Sequence, residues 1–283
     1  MKAADLYNQL EKDFIKPELT DDWAKYMTPI GDFLTAKYKS RSMGLVCGFT
    51  TEVKKVYTAV FPSFAVMQSV LEKRERDIML FVHHPSNWDL AKAPPVFHLM
   101  NIPQLEEFRN QHISIYNLHV PLDNFSEYST SATLAKAIGL TDLKPFYPYY
   151  GSLACVYGKT TLETVSEMRE RFAAMLGHKA SLYLYGSQEI TNGVVAVAAG
   201  GGNIADLHEQ LAKDGVNLLV TGVTVEAPFS KLAHEKAREK KINLLGGTHY
   251  STEKPACQAM CSYFQKLGLP SEFIEGEAGM ADL

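Results

Sequence analysis

The sequence predicts an α/β fold, and three observations carry that prediction. From residue 194 onward, short apolar runs alternate with helical patterns in a β-α-β-α-β-α series. Ile78-Met79-Leu80-Phe81-Val82 is an unbroken apolar run, the signature of a strand buried on both faces in a parallel sheet. Gly246-Gly247-Thr248-His249-Tyr250-Ser251-Thr252-Glu253-Lys254-Pro255 follows another apolar run and precedes a helical pattern, so it is a strand-to-helix turn of the kind that carries binding groups on open α/β sheets.

Composition narrows the function. With 283 residues, 46% hydrophobic and 21% charged, the chain can bury one large core or two modest ones. A net charge of −4 supplies no broad basic field for nucleic acid or anionic lipid. Met1-Lys2-Ala3-Ala4-Asp5-Leu6 lacks an apolar signal core, and no apolar run approaches the roughly 18 residues of a membrane span, so no membrane association and a cytoplasmic location are expected. Cys47, Cys155, Cys257 and Cys261 show no Cys-x-x-Cys pairing, which fits a reducing compartment; Cys257 and Cys261 read as a core pair on the last helix.

In chain order, Leu6, Leu10 and Phe14 give a surface helix over residues 3–15, followed by a less regular amphipathic stretch at 23–34. Residues 43–49 and 53–61 predict two strands around a polar turn, and Pro62 opens a helix containing Phe64, Met67, Val70 and Leu71. The strand at 78–82 ends in His83-His84-Pro85. A helix over 95–111 leads to a strand at 113–118, which ends in His119-Val120-Pro121-Leu122-Asp123, and a small-residue helix follows at 129–138. Residues 145–150 read as an aromatic loop, better suited to packing or a subunit contact than to a pocket wall. Thr160-Thr161-Leu162-Glu163 offers a capping box to a helix with Val165, Met168 and Phe172 in its buried stripe and Gly177 at its end. Strands at 181–185 and 194–199 precede Gly200-Gly201-Gly202-Asn203. The spacing there matches neither Gly-x-Gly-x-x-Gly nor a P-loop, so a tight turn is preferred to an anion cradle. A helix at 204–213, a strand at 216–221, a helix at 231–241 and a strand at 242–245 come next. The last helix spans 252–267, with Ser251 as N-cap and Pro255 in its first turn, and 275–283 reads as a loose acidic tail.

Three strands therefore end in metal-binding groups: His83 and His84, His119 with Asp123, and His249 with Glu253. A set of imidazoles and carboxylates without cysteine suits borderline to hard divalent ions such as zinc, manganese, iron, cobalt or nickel. Successive residues on extended backbone point to opposite sides, so His83 and His84 serve two ions more readily than one unless the chain kinks.

These stretches, in this order, resemble the Nif-three-like family, also described as dinuclear metal centre hexameric proteins and labelled type 2 GTP cyclohydrolase I. The motifs are Val82-His83-His84-Pro85, Tyr116-Asn117-Leu118-His119-Val120-Pro121-Leu122-Asp123 and Gly247-Thr248-His249-Tyr250-Ser251-Thr252-Glu253, with Met43-Gly44-Leu45 and the run into Gly200-Gly201-Gly202 as further landmarks. The resemblance implies ligation of two divalent ions per chain by His83, His84, Asp123, His249 and Glu253, with Glu253 bridging them. His119 would line the cavity as a ligand, as a partner behind a ligand or as a proton shuttle. The resemblance further implies two interlinked α/β domains with mixed sheets flanked by helices, the metal site at their junction, and a ring-shaped homo-hexamer. The expected division is a discontinuous metal-site domain, 1–125 with 241–283, and a second α/β domain, 126–240. The chain departs from the family in the extra residues between Trp23 and Gly44, in Val223-Thr224-Val225-Glu226-Ala227-Pro228 where an acidic residue and Tyr-His are usual, and in having no room between 160 and 199 for an inserted domain of about 100 residues.

The expected function is a metal-dependent hydrolase that uses a metal-bridging hydroxide, with His119 and Glu253 as its catalytic residues. Its substrate would be a small molecule, nucleotides among the candidates, and its reaction a purine-type ring opening or the cleavage of a phosphoester or amide. The alternative is a hexameric metal-binding protein without turnover, acting through protein partners or metal handling.

Overall fold

The computed structural model describes residues 1–89, 92 and 95–283. Its first element, α1 (Ala3–Phe14), buries Leu6, Leu10 and Phe14 as their spacing requires. The amphipathic stretch after it forms two 3-10 turns, Trp23–Tyr26 and Thr28–Phe33, rather than an α-helix. Helix α2 (Ala36–Arg41), strands β1 (Gly44–Cys47) and β2 (Lys55–Ala59), helix α3 (Phe64–Glu72) and strand β3 (Ile78–Val82) follow.

The single helix expected over 95–111 divides. Val96–His98 is strand β5, paired with β4 (Asn87–Asp89), and helix α4 runs only over Ile102–Asn110. The Asn101 side chain accepts the Gln104 N–H and Pro103 sits in the first turn, which together fix the start of α4. Then come β6 (Ile113–Asn117), the short α5 (Val120–Asp123) and α6 (Thr130–Ala137).

The aromatic segment expected as a loop is instead the end of strand β7 (Thr141–Tyr149), joined to β8 (Ser152–Lys159) by a two-residue turn. Tyr150 and Gly151 both hold positive φ, 47° and 86°, the twist a two-residue hairpin needs. Pro145 and Pro148 are tolerated because β7 lies at a sheet edge. The capping box falls at Thr164 and Glu167, not at 160–163, and opens α7 (Val165–Leu176), which ends at left-handed Gly177. Strands β9 (Ser181–Tyr183) and β10 (Val194–Ala198), α8 (Ala205–Lys213), β11 (Leu218–Thr221), α9 (Lys231–Lys240), β12 (Asn243–Gly246), α10 (His249–Lys266) and β13 (Ser271–Phe273) complete the chain.

Two mixed sheets flanked by helices result. One has the order β1-β6-β3-β2-β13, the other β7-β8-β10-β11-β12-β9. Within them β2, β3, β6 and β13 run parallel, as do β10, β11 and β12. Strand β12 therefore belongs to the sheet formed within 126–240, although the expected division places it with 1–125. Helix α10 links the two: it leaves β12 and buries Ala256, Met260, Tyr263 and Phe264 against Val56, Met79, Phe81 and Tyr116 of the first sheet's core. The acidic end is not loose. Thr224 and Val225 donate their N–H groups to the Asp282 carbonyl, and the Gly276 N–H is held by the Tyr250 hydroxyl. Among the described residues no helix is long and apolar enough to cross a membrane, and all four cysteines are free thiols.

Candidate metal centre

The histidines follow strands of both sheets: β3 and β6 of the first and β12 of the second. After Val82 the chain bends, so His83 and His84 do not splay as extended neighbours would; their rings meet edge to face at 4.3 Å and both face one cluster. His83 Nδ1 donates to the Leu118 carbonyl at 2.9 Å, which fixes the ring's orientation and turns Nε2 toward the cluster. That Nε2 is buried without a hydrogen-bond partner. It stands 3.6 Å from Asp123 Oδ1 and 3.5 Å from Glu253 Oε1.

The second half of the site comes from α10. The helix starts earlier than the sequence suggested: Thr248, not Ser251, is the N-cap, accepting the Ser251 N–H, so Pro255 lies inside the helix. His249 and Glu253 consequently share one helical face, with His249 Nε2 3.1 Å from Glu253 Oε1. His84 Nε2 is 3.0 Å from Glu253 Oε2 and 3.2 Å from His249 Nε2. His119 completes the cluster, its Nε2 3.8 Å from Asp123 Oδ2. All six predicted residues thus converge, although they come from turns far apart in the chain.

Two imidazole nitrogens 3.2 Å apart beside a carboxylate have the spacing of ligands that share a cation. Ligands about 2.0–2.2 Å from one ion stand about 3.0–3.6 Å from each other, which is the range observed. Two buried groups, His83-His84-His119 and His84-His249-Glu253, can each hold a metal ion. The surroundings keep the space open. Gly200 has φ +67°, and a Cβ there would meet Glu253 Oε1 at 2.1 Å and His249 Nε2 at 3.1 Å.

The charges are tuned by burial and by one another. Burial opposes ionisation of Glu253, yet His249, His84 and His83 together hold its carboxyl well below the usual range. Burial likewise opposes the His83 imidazolium, but Glu253 and Asp123 outweigh it and lift its pKa to about 9. Burial keeps His84 neutral, with a pKa well below the ordinary imidazole value. For Asp123 burial prevails over His83 and His119, and the pKa rises.

With this geometry in hand, comparison with known proteins is decisive on kinship. The Duf34/NIF3 (NGG1p interacting factor 3) family profile matches residues 5–277. The chain belongs to the Duf34/NIF3 family. A Deinococcus radiodurans protein named GTP cyclohydrolase 1 type 2 homolog is 26% identical over 258 residues, spanning 89% of this Duf34/NIF3 chain and 92% of its own. A Halobacterium salinarum protein of the same name is 29% identical over 206 residues, spanning 71% and 77%. Among solved structures, protein ybgI, described as of unknown function, has a TM-score of 0.73 at 22% identity over 98% of this chain and 99% of its own. Reduced HcgD from Methanocaldococcus jannaschii has a TM-score of 0.70 at 20% identity over 98% of each chain. At such identities the structures establish the Duf34/NIF3 fold alone.

Several residues of the site were not singled out from sequence. Asp21 Oδ2 lies 2.9 Å from His119 Nδ1, and Trp23 Nε1 lies 2.8 Å from the same atom. Nδ1 serves one of them at a time: it donates to Asp21 when protonated and accepts from Trp23 when bare. Asp282 Oδ2 accepts the His249 N–H at 2.9 Å, anchoring the start of α10. The Asp21-Asp22-Trp23 run carries no periodic signal, and Asp282 lies in a segment whose composition suggests solvent. Gly200 reads from sequence as a turn glycine and a landmark of the family resemblance, not as a neighbour of Glu253.

Proposed function

We propose that this chain is a dinuclear, divalent-metal-dependent hydrolase. The observation that carries this reading is that Glu253 stands within 3.5 Å of three histidines, His83, His84 and His249, while Asp123 faces His83 at 3.6 Å and His119 at 3.8 Å. Glu253 is the bridging ligand in this reading, and zinc, manganese, iron, cobalt and nickel all suit the donor set. Bound there, two such ions would lower the pKa of a water molecule and polarise the bond under attack. The chain's residues do the rest. Burial of His83, His84 and Glu253 excludes bulk water, and the Leu118 carbonyl fixes the orientation of the His83 ring. His119 places a proton at Nε2 or removes it according to whether Nδ1 engages Trp23 or Asp21, the behaviour required of a proton shuttle.

The adjoining cavity, about 430 Å³, has room for a small-molecule substrate. The relatives' printed name favours the opening of a purine-type ring, with phosphoester and amide hydrolysis as the other reactions such a centre performs. The test is metal content together with hydrolysis of GTP, phosphoesters and small amides before and after chelation. Activity that disappears with metal and returns with it supports the hydrolase. The family description, which names an interacting factor, favours a second reading: a metal-loaded hexamer that acts through protein partners without turnover. Metal without activity on any of these substrates would select it. In either reading we place the protein in the cytoplasm as a homo-hexamer, and a monomeric mass at micromolar concentration would refute the assembly.

A further inference from the structure

We infer that the cavity beside the centre receives a planar, uncharged aromatic ring system, of the size of a purine nucleoside, and is not built for a triphosphate. This rests on the reading that substrate enters this cavity. Its lining is rich in aromatic rings: Trp23, Tyr26 and Trp88 come from the first 3-10 turn and β4, Tyr147, Tyr149 and Tyr150 from the β7–β8 hairpin, and His84, His119, Asp123, His249 and Glu253 are also in its lining. Tyr26 and Tyr150 are 37% and 49% exposed, so each ring, though packed edge-on against Trp88 or Tyr149, keeps surface open to a ligand. The walls are tied together in advance: the Thr20 N–H, just ahead of the Asp21-Asp22-Trp23 run, donates to the Tyr150 carbonyl at 3.0 Å. Tyr147 holds φ at 62° inside strand β7, ahead of the Tyr150-Gly151 turn. A bulky residue in that conformation is strained, and strain of this sort collects at binding sites.

The charges point the same way. The lining contains Asp21, Asp22, Asp123 and Glu253. Among the described residues Lys25 is its one lysine or arginine, and Lys25 is paired with Asp22. Ions at the centre can take one phosphate group, but the rest of a triphosphate would then lie against carboxylates with no guanidinium or free ammonium to receive it. A neutral ring meets no such repulsion and gains contact with the aromatic lining.

The experiment is calorimetric titration of the metal-replete protein with guanosine, GTP and inorganic triphosphate at low and high salt. Guanosine is expected to bind with little salt dependence, and GTP no more tightly. Tyr147→Ala should weaken guanosine by about fivefold or more, the lower range of base–aromatic stacking, with metal content unchanged and Tyr147→Phe retaining affinity. Tyr150→Ala, at the exposed turn, gives a second reading of the same loss. GTP or triphosphate binding tenfold tighter than guanosine, with strong salt dependence, would overturn the inference, as would unchanged affinity in both alanine variants. Guanosine binding that persists in metal-stripped protein would uphold the slot even if the hydrolase reading failed. A metal-replete, active enzyme that ignores guanosine would overturn the slot alone.

Discussion

Gly200→Ala separates the metal centre from the fold that carries it. Two effects are expected at this position, and a second glycine isolates the first of them. At φ +67° an alanine pays the left-handed penalty, about 1 kcal/mol, or a fall in Tm of about 2 °C for a chain of this size. Gly215→Ala pays the same penalty, because Gly215 has φ +70°, but its new methyl has nothing within 4 Å. At Gly200 the methyl also arrives 2.1 Å from Glu253 Oε1, so the carboxylate has to withdraw by about 1 Å to restore van der Waals contact. That movement takes the carboxylate out of its 3.0–3.1 Å contacts with His84 and His249. A loss in metal affinity of about 10- to 100-fold is expected, comparable to disturbing the groups that orient ligands. The assay is chelator competition with metal analysis on both variants, alongside their melting curves. Comparable melting temperatures with metal lost only from Gly200→Ala would support the geometry. Full metal affinity in Gly200→Ala would refute the placement of Glu253 at the centre.

Glu253→Gln should remove metal more completely than His119→Ala, since Glu253 contacts three histidines of the cluster; metal analysis showing the reverse order would reassign their roles. The metal-free protein should lose stability as pH rises. The folded chain keeps a proton on His83 up to about pH 9 that the unfolded chain releases near its ordinary 6.5, so this contribution is full below pH 6.5 and fades as pH climbs through 9. His249 shifts in the same direction, and a flat denaturation midpoint from pH 6.5 to 9.5 would contradict this. Asp282→Ala removes the acceptor of the His249 N–H and should lower metal affinity by up to about tenfold; unchanged affinity in chelator competition would confine Asp282 to a role in docking the tail.

Much of this architecture is legible in the sequence because it rests on local chemistry. Ile78–Val82 is unbroken apolar sequence and forms a strand buried along its whole length. The spacing of Leu6, Leu10 and Phe14 fixes the buried side of α1. The histidines of the candidate site follow strands β3, β6 and β12, and the parallel pairing of β3 with β6 brings two of those ends together. What escaped depends on partners distant in sequence. Residues 145–150 read as a loop because two prolines normally exclude a strand, and only sheet order shows that β7 is an edge. Val96–His98 joins a strand because Asn87–Asp89 lies opposite it. The Thr248 cap displaces Ser251 by one favourable hydrogen bond, a choice that propensity alone does not make. Asp21, Gly200 and Asp282 reach the site through tertiary contacts that leave no trace in periodicity or composition.

The central claim is that this cluster holds two ions bridged by Glu253. Metal analysis of the purified, untagged protein after incubation with each candidate divalent ion addresses it directly. About two ions per chain are expected, falling sharply in Glu253→Gln; no bound metal under replete conditions would contradict the account.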